Sequence, residues 1–591
     1  MNISMIDWAI IAAFFVISML IGVLTSRKAG SSAKEFFLSG RNMPWWLLGV
    51  SMVATTFSAD TPNLVTDIVR KNGVSGNWVW WAFLLTGMLT VFVYAKLWRR
   101  SEVTTDLEFY ELRYGGKPAA FLRAFRAIYL GVFFNVVIMA TVSLAAIKIG
   151  GVMLGLSPVE TLLLASVVTV IYSSLGGLKG VLLTDFFQFF IAMAGAIGAA
   201  IYVLEMPEIG SLNNLLTHPN VSDKLNFLPD FNDYNLLIPL LIMPLAIQWW
   251  ATWYPGAEPG GGGYIAQRML SAKDEKNAIG ATLFFNIAHY SMRPWPWIII
   301  ALSSLIIFPN VSDMQEAFPH IPVDKLGNDL AYSAMLTFLP TGLIGIVLAS
   351  LIAAVMSTLS THLNWGSSYV VNDFYQRFLR PDASDKELVL VGRVSTVLLM
   401  VLAAILALAL SSALEAFNIL LQIGAGTGAI FILRWFWWRI NAYTEISAMI
   451  ISFAVAIFFE SINPKVQWIV IPENQEYLKL LYGVGITTVG WVLVTLLTQP
   501  EKDTILLSFY RKVKPAAFGW KKLLYRYPQE HQEQGRLPQE IGLMLVGSVM
   551  VYSALFAVGF WIYSNILPAI IASLVAIVGG VIIIKSWKNL K

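Results

Sequence analysis

Two apolar stretches of this chain carry more oxygen chemistry than an apolar helix needs. The first, WWLLGVSMVATTFSADTPNLVTDIV, holds Thr55, Thr56, Ser58, Asp60, Thr61, Pro62 and Asn63 in its middle. Pro62 has no N–H, so the carbonyl of Ser58 loses its helical donor, and Thr61 is pushed out of the α region. The second, GIVLASLIAAVMSTLSTHLNWGSSYVVNDFY, is studded with Ser357, Thr358, Ser360, Thr361 and Asn364. Carbonyls freed on one helix and hydroxyls on another form a neutral oxygen set of the kind hard cations accept. Sodium is one candidate, and neither segment alone is specific for it. The plainer alternative is a kinked structural helix with Asp60 neutralised by a neighbour, and hydroxyls bonded to carbonyls one turn back.

The remaining reactive residue types narrow the chemistry. The five histidines, His218, His289, His320, His362 and His531, are scattered, with no HExxH pattern and no carboxylates paired at ligand spacing. A membrane enzyme would need a nucleophile, general base or metal cluster, and none is evident. His289 and His362 read as packed, hydrogen-bonded residues. Arg293, in HYSMRPWPW, is a charge inside an apolar run that pairs with Asp60, meets an anionic solute, or snorkels to the boundary. The run of glycines at 260–263 lacks the GK[ST] ending of a phosphate loop and follows no strand, so a hinge or close helix contact is the better reading. Trp249, Trp250 and Trp253 fit either an interfacial belt or stacking platforms, and Gly424, Gly426 and Gly428 fit close helix packing.

Positioning such residues falls to elements made for lipid. Of 591 residues, 57% are hydrophobic and only 13% charged, about half the charged share of soluble domains. The net charge of +4 gives no reason to expect a nucleic-acid partner, and the absence of cysteine excludes disulfides and thiolate metal sites. About fifteen stretches reach the roughly 20 apolar residues a spanning helix needs. Runs such as 397–410 are apolar all round, which excludes the alternation of a β-barrel. The first stretch lacks a basic leader and cleavage site and is expected to be a retained helix. An outside N-terminus places Arg27, Lys28, Arg99, Arg100, Arg113, Arg123, Arg126, Arg268, Arg377, Arg380 and the basic 502–536 stretch in inside loops. Only Arg70, Lys71, Lys224, Lys325, Lys465 and a few others remain outside, so this orientation, with an inside C-terminus, satisfies the positive-inside rule. No loop is long enough for a separate catalytic or signalling domain, and one transmembrane domain spanning 1–591 is expected.

Four segments in order, the 45–69 stretch, GGLKGVLLTDFFQ (176–188), YIAQRMLSAKDEKNA (264–278) and SLIAAVMSTLS (350–360), resemble the sodium:solute symporter family, over roughly residues 5–500. The resemblance implies an all-α, leucine-transporter-like fold of two inverted five-helix repeats, 44–203 and 236–434. An extra N-terminal helix and loop (5–43) would precede them, and C-terminal helices (443–591) would follow. It implies Na+ as the coupling ion, held by Ala54 and Phe57 on the first core helix and by Ala354, Ser357 and Thr358 on the eighth. Asp185 matches an aspartate that some members use for a second sodium site, with a structural ion pair as the alternative. Thr56 stands where some members carry an aspartate, and the PGAEPGGGG segment is an insertion beside the substrate-lining region. The expected activity is import of a small polar solute across the cell membrane by alternating access. The expected substrate-lining residues are Asp60, Asn63, Gln248, Trp253 and Gln422. Acceptors beside tryptophan faces favour a sugar or sugar derivative. An amino acid or organic acid met by Arg293 is the alternative solute, and a channel or membrane enzyme the alternative class.

Overall fold

A backbone in lipid must satisfy its own N–H and C=O groups, and this chain does so with helices. The computed structural model describes residues 3–56, 58–251, 259–319, 321, 326–410, 424, 426–472, 475–530 and 536–589. Among these the helices that matter are α1 (Met5–Ala29), α2 (Trp45–Thr55), α3 (Asp60–Asn72), α4 (Val74–Ser101), α5 (Gly116–Leu154) and α6 (Pro158–Leu204). They continue with α7 (Tyr234–Gln248), α8 (Gly263–Ser271), α9 (Glu275–Ile307), α10 (Leu343–Leu379), α11 (Asp385–Ala409) and α12 (Gly428–Leu433). The chain ends with α13 (Ala442–Val466), α14 (Tyr477–Leu497), α15 (Asp503–Val513), α16 (Leu537–Ile562) and α17 (Ile566–Ser586). Between strands there is only an isolated bridge, Met43 to Ala272, among the described residues.

Ten of these helices are long and apolar enough to cross a membrane, and α9 with the helix that follows it, bent by 81°, raises the count to eleven. The chain is a multi-pass membrane protein. The distance from about fifteen hydropathic stretches has identifiable causes. The stretch around residue 56 is broken into α2 and α3, neither of spanning length. The stretch around 246 is the short α7, and the one around 425 lies partly outside the described residues. The stretches near 168 and 192 are one continuous 47-residue element, α6, jointed at Gly177 (φ 54°, ψ −160°). That conformation is open to glycine alone, and an added Cβ would lie 2.8 Å from the Phe36 carbonyl.

α10 is the axis of the molecule. From Ile344 to Ser368 nearly every side chain is buried, polar ones included, as expected of a helix surrounded by others. It packs along α6, and α2 packs against α6, α9 and α10. The N-terminal helix is tied to the start of α10 by Asp7. Its Oδ1 accepts the Gly342 and Gly345 amides at 2.7 and 2.9 Å, a carboxylate at a helix N-terminus. The α16–α17 hairpin lies on the outside of α4. A buried Lys96–Glu540 ion pair and the rings of Trp78, Tyr552 and Phe556 join it there.

Candidate functional site

The site begins where α2 stops. Thr56 Oγ1 donates to its own helix at the Met52 and Val53 carbonyls, 3.0 and 2.9 Å away, which closes the last turn against continuation. Pro62 then falls in the first turn of α3, where its missing N–H costs nothing. The Ser58 carbonyl, deprived of a donor at position 62, accepts the Thr61 amide at 3.2 Å instead. Two helix-end carbonyls are covered from α9. Arg293 Nη1 donates to the Val53 carbonyl and Nη2 to the Thr56 carbonyl, both at 2.8 Å, and the guanidinium lies 5.0 Å over the Trp297 ring. A π-helical turn, Ala288–Met292, with Pro294 behind it, aims this side chain. Arg293 is thus the cap of a broken helix, a cation at the negative end of the α2 dipole.

The second half of the site joins α2, α6 and α10. Asp185 on α6 is fully buried and its carboxylate is gripped by two serines. Ser51 of α2 donates to Oδ2 at 2.5 Å, and Ser357 of α10 donates to Oδ1 at 2.6 Å. Thr358 Oγ1 donates to the Thr55 carbonyl at 3.0 Å, and the Thr55 and Thr361 hydroxyls are 2.9 Å apart. Ala54 and Ala354 are buried beside them. The result is a buried cluster of hydroxyls, helix-end carbonyls and one carboxylate drawn from three helices. Among the described residues no group of three or more His, Cys, Asp or Glu is placed to hold a metal ion; the groups gathered here are hard oxygens.

The sequence-predicted residues divide accordingly. Ala54, Ser357, Thr358 and Asp185 come together, with Ala354 one turn before Thr358 on the same helix. Phe57, Trp253 and Gln422 lie outside the described residues. Asp60 and Asn63 share the first turn of α3, and Asp60 Oδ1 and Asn63 Oδ1 are buried acceptors without a hydrogen-bond donor. Gln248 is committed to the Val79 carbonyl through Nε2 at 2.7 Å. His362 bonds Asn135 Oδ1 at 2.6 Å, and His289 packs on Trp80 and Tyr290. The glycine run is a close contact: Gly260 (φ 88°) sits on the Tyr94 ring and gives its carbonyl to Trp98 Nε1 at 2.9 Å. Gly428 passes so close to the Trp250 carbonyl that an added Cβ would overlap it.

Sequence reasoning missed Ser51 as a partner of Asp185, the pairing of Thr55 with Thr361, and Arg268 as a buried residue. Ser51/Thr55 and Ser357/Thr361 are i, i+4 pairs, each on one helix face, which is the signal that could have found the hydroxyls. Arg268 is fully buried and donates to Thr361 Oγ1 at 2.7 Å, to Ser51 Oγ at 3.2 Å and to Thr55 Oγ1 at 3.3 Å.

An all-helical, multi-pass protein with a broken helix facing a hydroxyl-rich one has the construction of membrane transporters that bind their cargo at helix interruptions. The model of the sodium:solute symporter family matches residues 36–452, and the chain belongs to that family. It is 26% identical over 496 residues to the sodium/mannose cotransporter of Bos taurus, covering 78% of this chain and 80% of that one. It is 26% identical over 484 residues to the sodium/glucose cotransporter of Vibrio parahaemolyticus, covering 78% and 86%. Among solved structures, a Na+-coupled sialic acid symporter in its substrate-bound outward-open state superposes with a TM-score of 0.66 at 19% identity. That match covers 85% of this chain and all of the other, and it shows a shared fold.

Proposed function

We propose that this chain is a sodium-coupled importer of a small polyhydroxylated solute, a sugar or sugar derivative, working by alternating access. The observation that carries the reading is the oxygen cluster between α2 and α10. Ser357 gives its proton to Asp185 and Thr358 gives its proton to the Thr55 carbonyl. A hydroxyl oxygen that donates its proton still has acceptor capacity to offer a cation. With Ala54, Phe57 and Ala354 they form the ligand set of one sodium, and Asp185 holds that set in place or takes a second sodium itself. Relatives named as mannose, glucose and myo-inositol cotransporters support the solute class. So do the two unpaired acceptors, Asp60 Oδ1 and Asn63 Oδ1, which call for hydroxyl donors. Arg293 is engaged with the Val53 and Thr56 carbonyls, which disfavours an organic anion.

In this reading residues 44–203 and 236–434 are inverted repeats that rock about the site. The helices before and after them bring the crossings to about fifteen within one lipid-embedded domain, with the N-terminus outside and the C-terminus cytoplasmic. Sodium binding strengthens the outward-open state, the solute binds near Asp60, Asn63, Gln248, Trp253 and Gln422, and both leave into low-sodium cytoplasm. The membrane potential contributes about 2.3 kcal/mol per charge per 100 mV. The test is uptake into proteoliposomes of labelled mannose, glucose and myo-inositol, with an amino-acid and an organic-acid panel alongside. An inward sodium gradient must drive accumulation above equilibrium, and a potassium gradient must not. Sodium-independent equilibration would indicate a channel, and accumulation of only amino or organic acids would overturn the solute class.

A further inference from the structure

We propose that Arg268 is an exchangeable counter-ion of Asp185. Its guanidinium and a sodium ion take turns in the seat formed by Asp185, Ser51, Thr55, Ser357 and Thr361, so that insertion of Arg268 expels the sodium. The proposal rests on the sodium-symport reading of the same cluster and adds the residue that empties it.

Three features of the contact carry the argument. First, the pair lacks the geometry of a structural clamp. A fixed buried arginine–carboxylate pair is commonly bidentate, with N–H to oxygen bonds of about 2.7–2.9 Å. Here Arg268 Nη2 stands 3.7 Å from Asp185 Oδ2. The carboxylate spends its short bonds on Ser51 and Ser357, and Nη2 instead sits on the Thr361, Ser51 and Thr55 hydroxyls. One terminal nitrogen surrounded by oxygens from two helices and facing a carboxylate is the environment a monovalent metal ion would have. Second, charge permits one occupant. Asp185 and Arg268 are both fully buried. One carboxylate with one cation is neutral, whereas Arg268 and sodium together would leave an unpaired positive charge where desolvation costs several kcal/mol per ion.

Third, Arg268 rides on a short element that would carry it in and out of the seat as one piece. α8 has only nine residues. Its N-terminal side is a run of left-handed glycines, Gly260, Gly261 and Gly263. Its polar contacts elsewhere are Gly263 N–H to Asp106 Oδ2 at 2.8 Å, Gln267 Nε2 to the Phe37 carbonyl at 3.1 Å and to Asn364 Oδ1 at 2.9 Å, and the Met43 amide to the Ser271 carbonyl at 3.1 Å. Seating α8 therefore delivers a cation to Asp185, and lifting it vacates the seat for sodium. Closure at this end of the bundle and sodium release become one event.

The experiment is equilibrium binding of radiolabelled sodium to the purified full-length protein, comparing wild type, Arg268→Gln and Arg268→Lys. An opposite charge at such distances moves the affinity of a carboxylate for a proton by about one to three tenfold steps. The expected result is a sodium half-saturation lowered about tenfold or more in R268Q and by less in R268K. Millimolar guanidinium chloride should raise the R268Q value back toward wild type and leave wild type unchanged, a rescue that a packing role does not produce. An unchanged or raised half-saturation in R268Q, or indifference of R268Q to guanidinium, overturns the proposal. If R268Q is not recovered folded, R268K decides alone, and equality with wild type overturns it. Wild type that binds no sodium refutes the symport reading itself, which separates the two failures.

Discussion

Ser357→Ala is the sharpest test of the sodium assignment, because one oxygen does two things. Its hydroxyl donates to Asp185 Oδ1 at 2.6 Å and is 1% exposed, so no water replaces it when it goes. A hydrogen bond to a charged group is worth about 1.5–3 kcal/mol, and at about 1.4 kcal/mol per decade that is a ten- to hundredfold change in an equilibrium. The same substitution removes one oxygen from the proposed cation set while leaving the Ser51 bond to Oδ2 at 2.5 Å. Sodium half-saturation for uptake should rise about ten- to hundredfold by this arithmetic, and solute half-saturation at saturating sodium should stay close to wild type. The assay is initial-rate uptake into proteoliposomes with sodium varied against choline. Adding S357A to Asp185→Asn separates the two functions. If Ser357 only steadied Asp185, S357A would cost nothing further in that background, whereas a direct ligand still loses affinity, the non-additivity being the measured quantity. A wild-type sodium activation curve in S357A refutes the assignment.

Other perturbations test the surrounding architecture. Asp60→Asn should raise solute half-saturation by about tenfold or more while sodium activation changes little, given about 1–3 kcal/mol per unpaired or lost buried hydrogen bond. Unchanged solute affinity would make Asp60 merely a first-turn carboxylate of α3. Lys96→Met should lower thermal stability in detergent by about 3–5 kcal/mol, because Glu540 is left buried and unpaired, and Lys96→Met/Glu540→Met should recover most of it. Equal loss in single and double variants would show that the pair does not join α4 to α16. Gly177→Ala puts a side chain at φ 54°, 2.8 Å from the Phe36 carbonyl, and should cost about 1–3 kcal/mol. A fully stable variant would mean that the joint in α6 does not constrain the fold.

What could be read from the chain alone follows a physical division. The break before Pro62 was legible because its causes are local: a missing amide, and the Thr56 hydroxyl competing for carbonyls of its own last turn. Ser357 and Thr358 were legible by residue type, as hydroxyls on an otherwise apolar helix. The joint in α6 was not, because hydropathy registers apolar length and is blind to the backbone angles of Gly177 that join the stretches near 168 and 192. Arg293 announced itself as a charge needing a partner, but its partners are backbone carbonyls some 240 positions earlier, and no pattern of side chains encodes those. Arg268 was misplaced for the opposite reason. Counting positive charges assigned it to a loop, and only the folding of α8 back onto α2 and α10 buries it.

The two arginines whose partners escaped sequence reasoning share one property: the meaning of each depends on which helices meet. Arg293 holds the end of α2, and Arg268 reaches the oxygens of α2 and α10 and faces Asp185 of α6. Because those oxygens come from three separate helices, no single helix contains a cation site. The site exists only while α2, α6 and α10 are in register, so whatever binds there stabilises that register by its own binding free energy and by no more. An ion held this way is necessarily coupled to conformation, whereas one held within a single helix would not be. An arginine exchanging with the ion at the same oxygens, as proposed above, would make the coupling run in both directions.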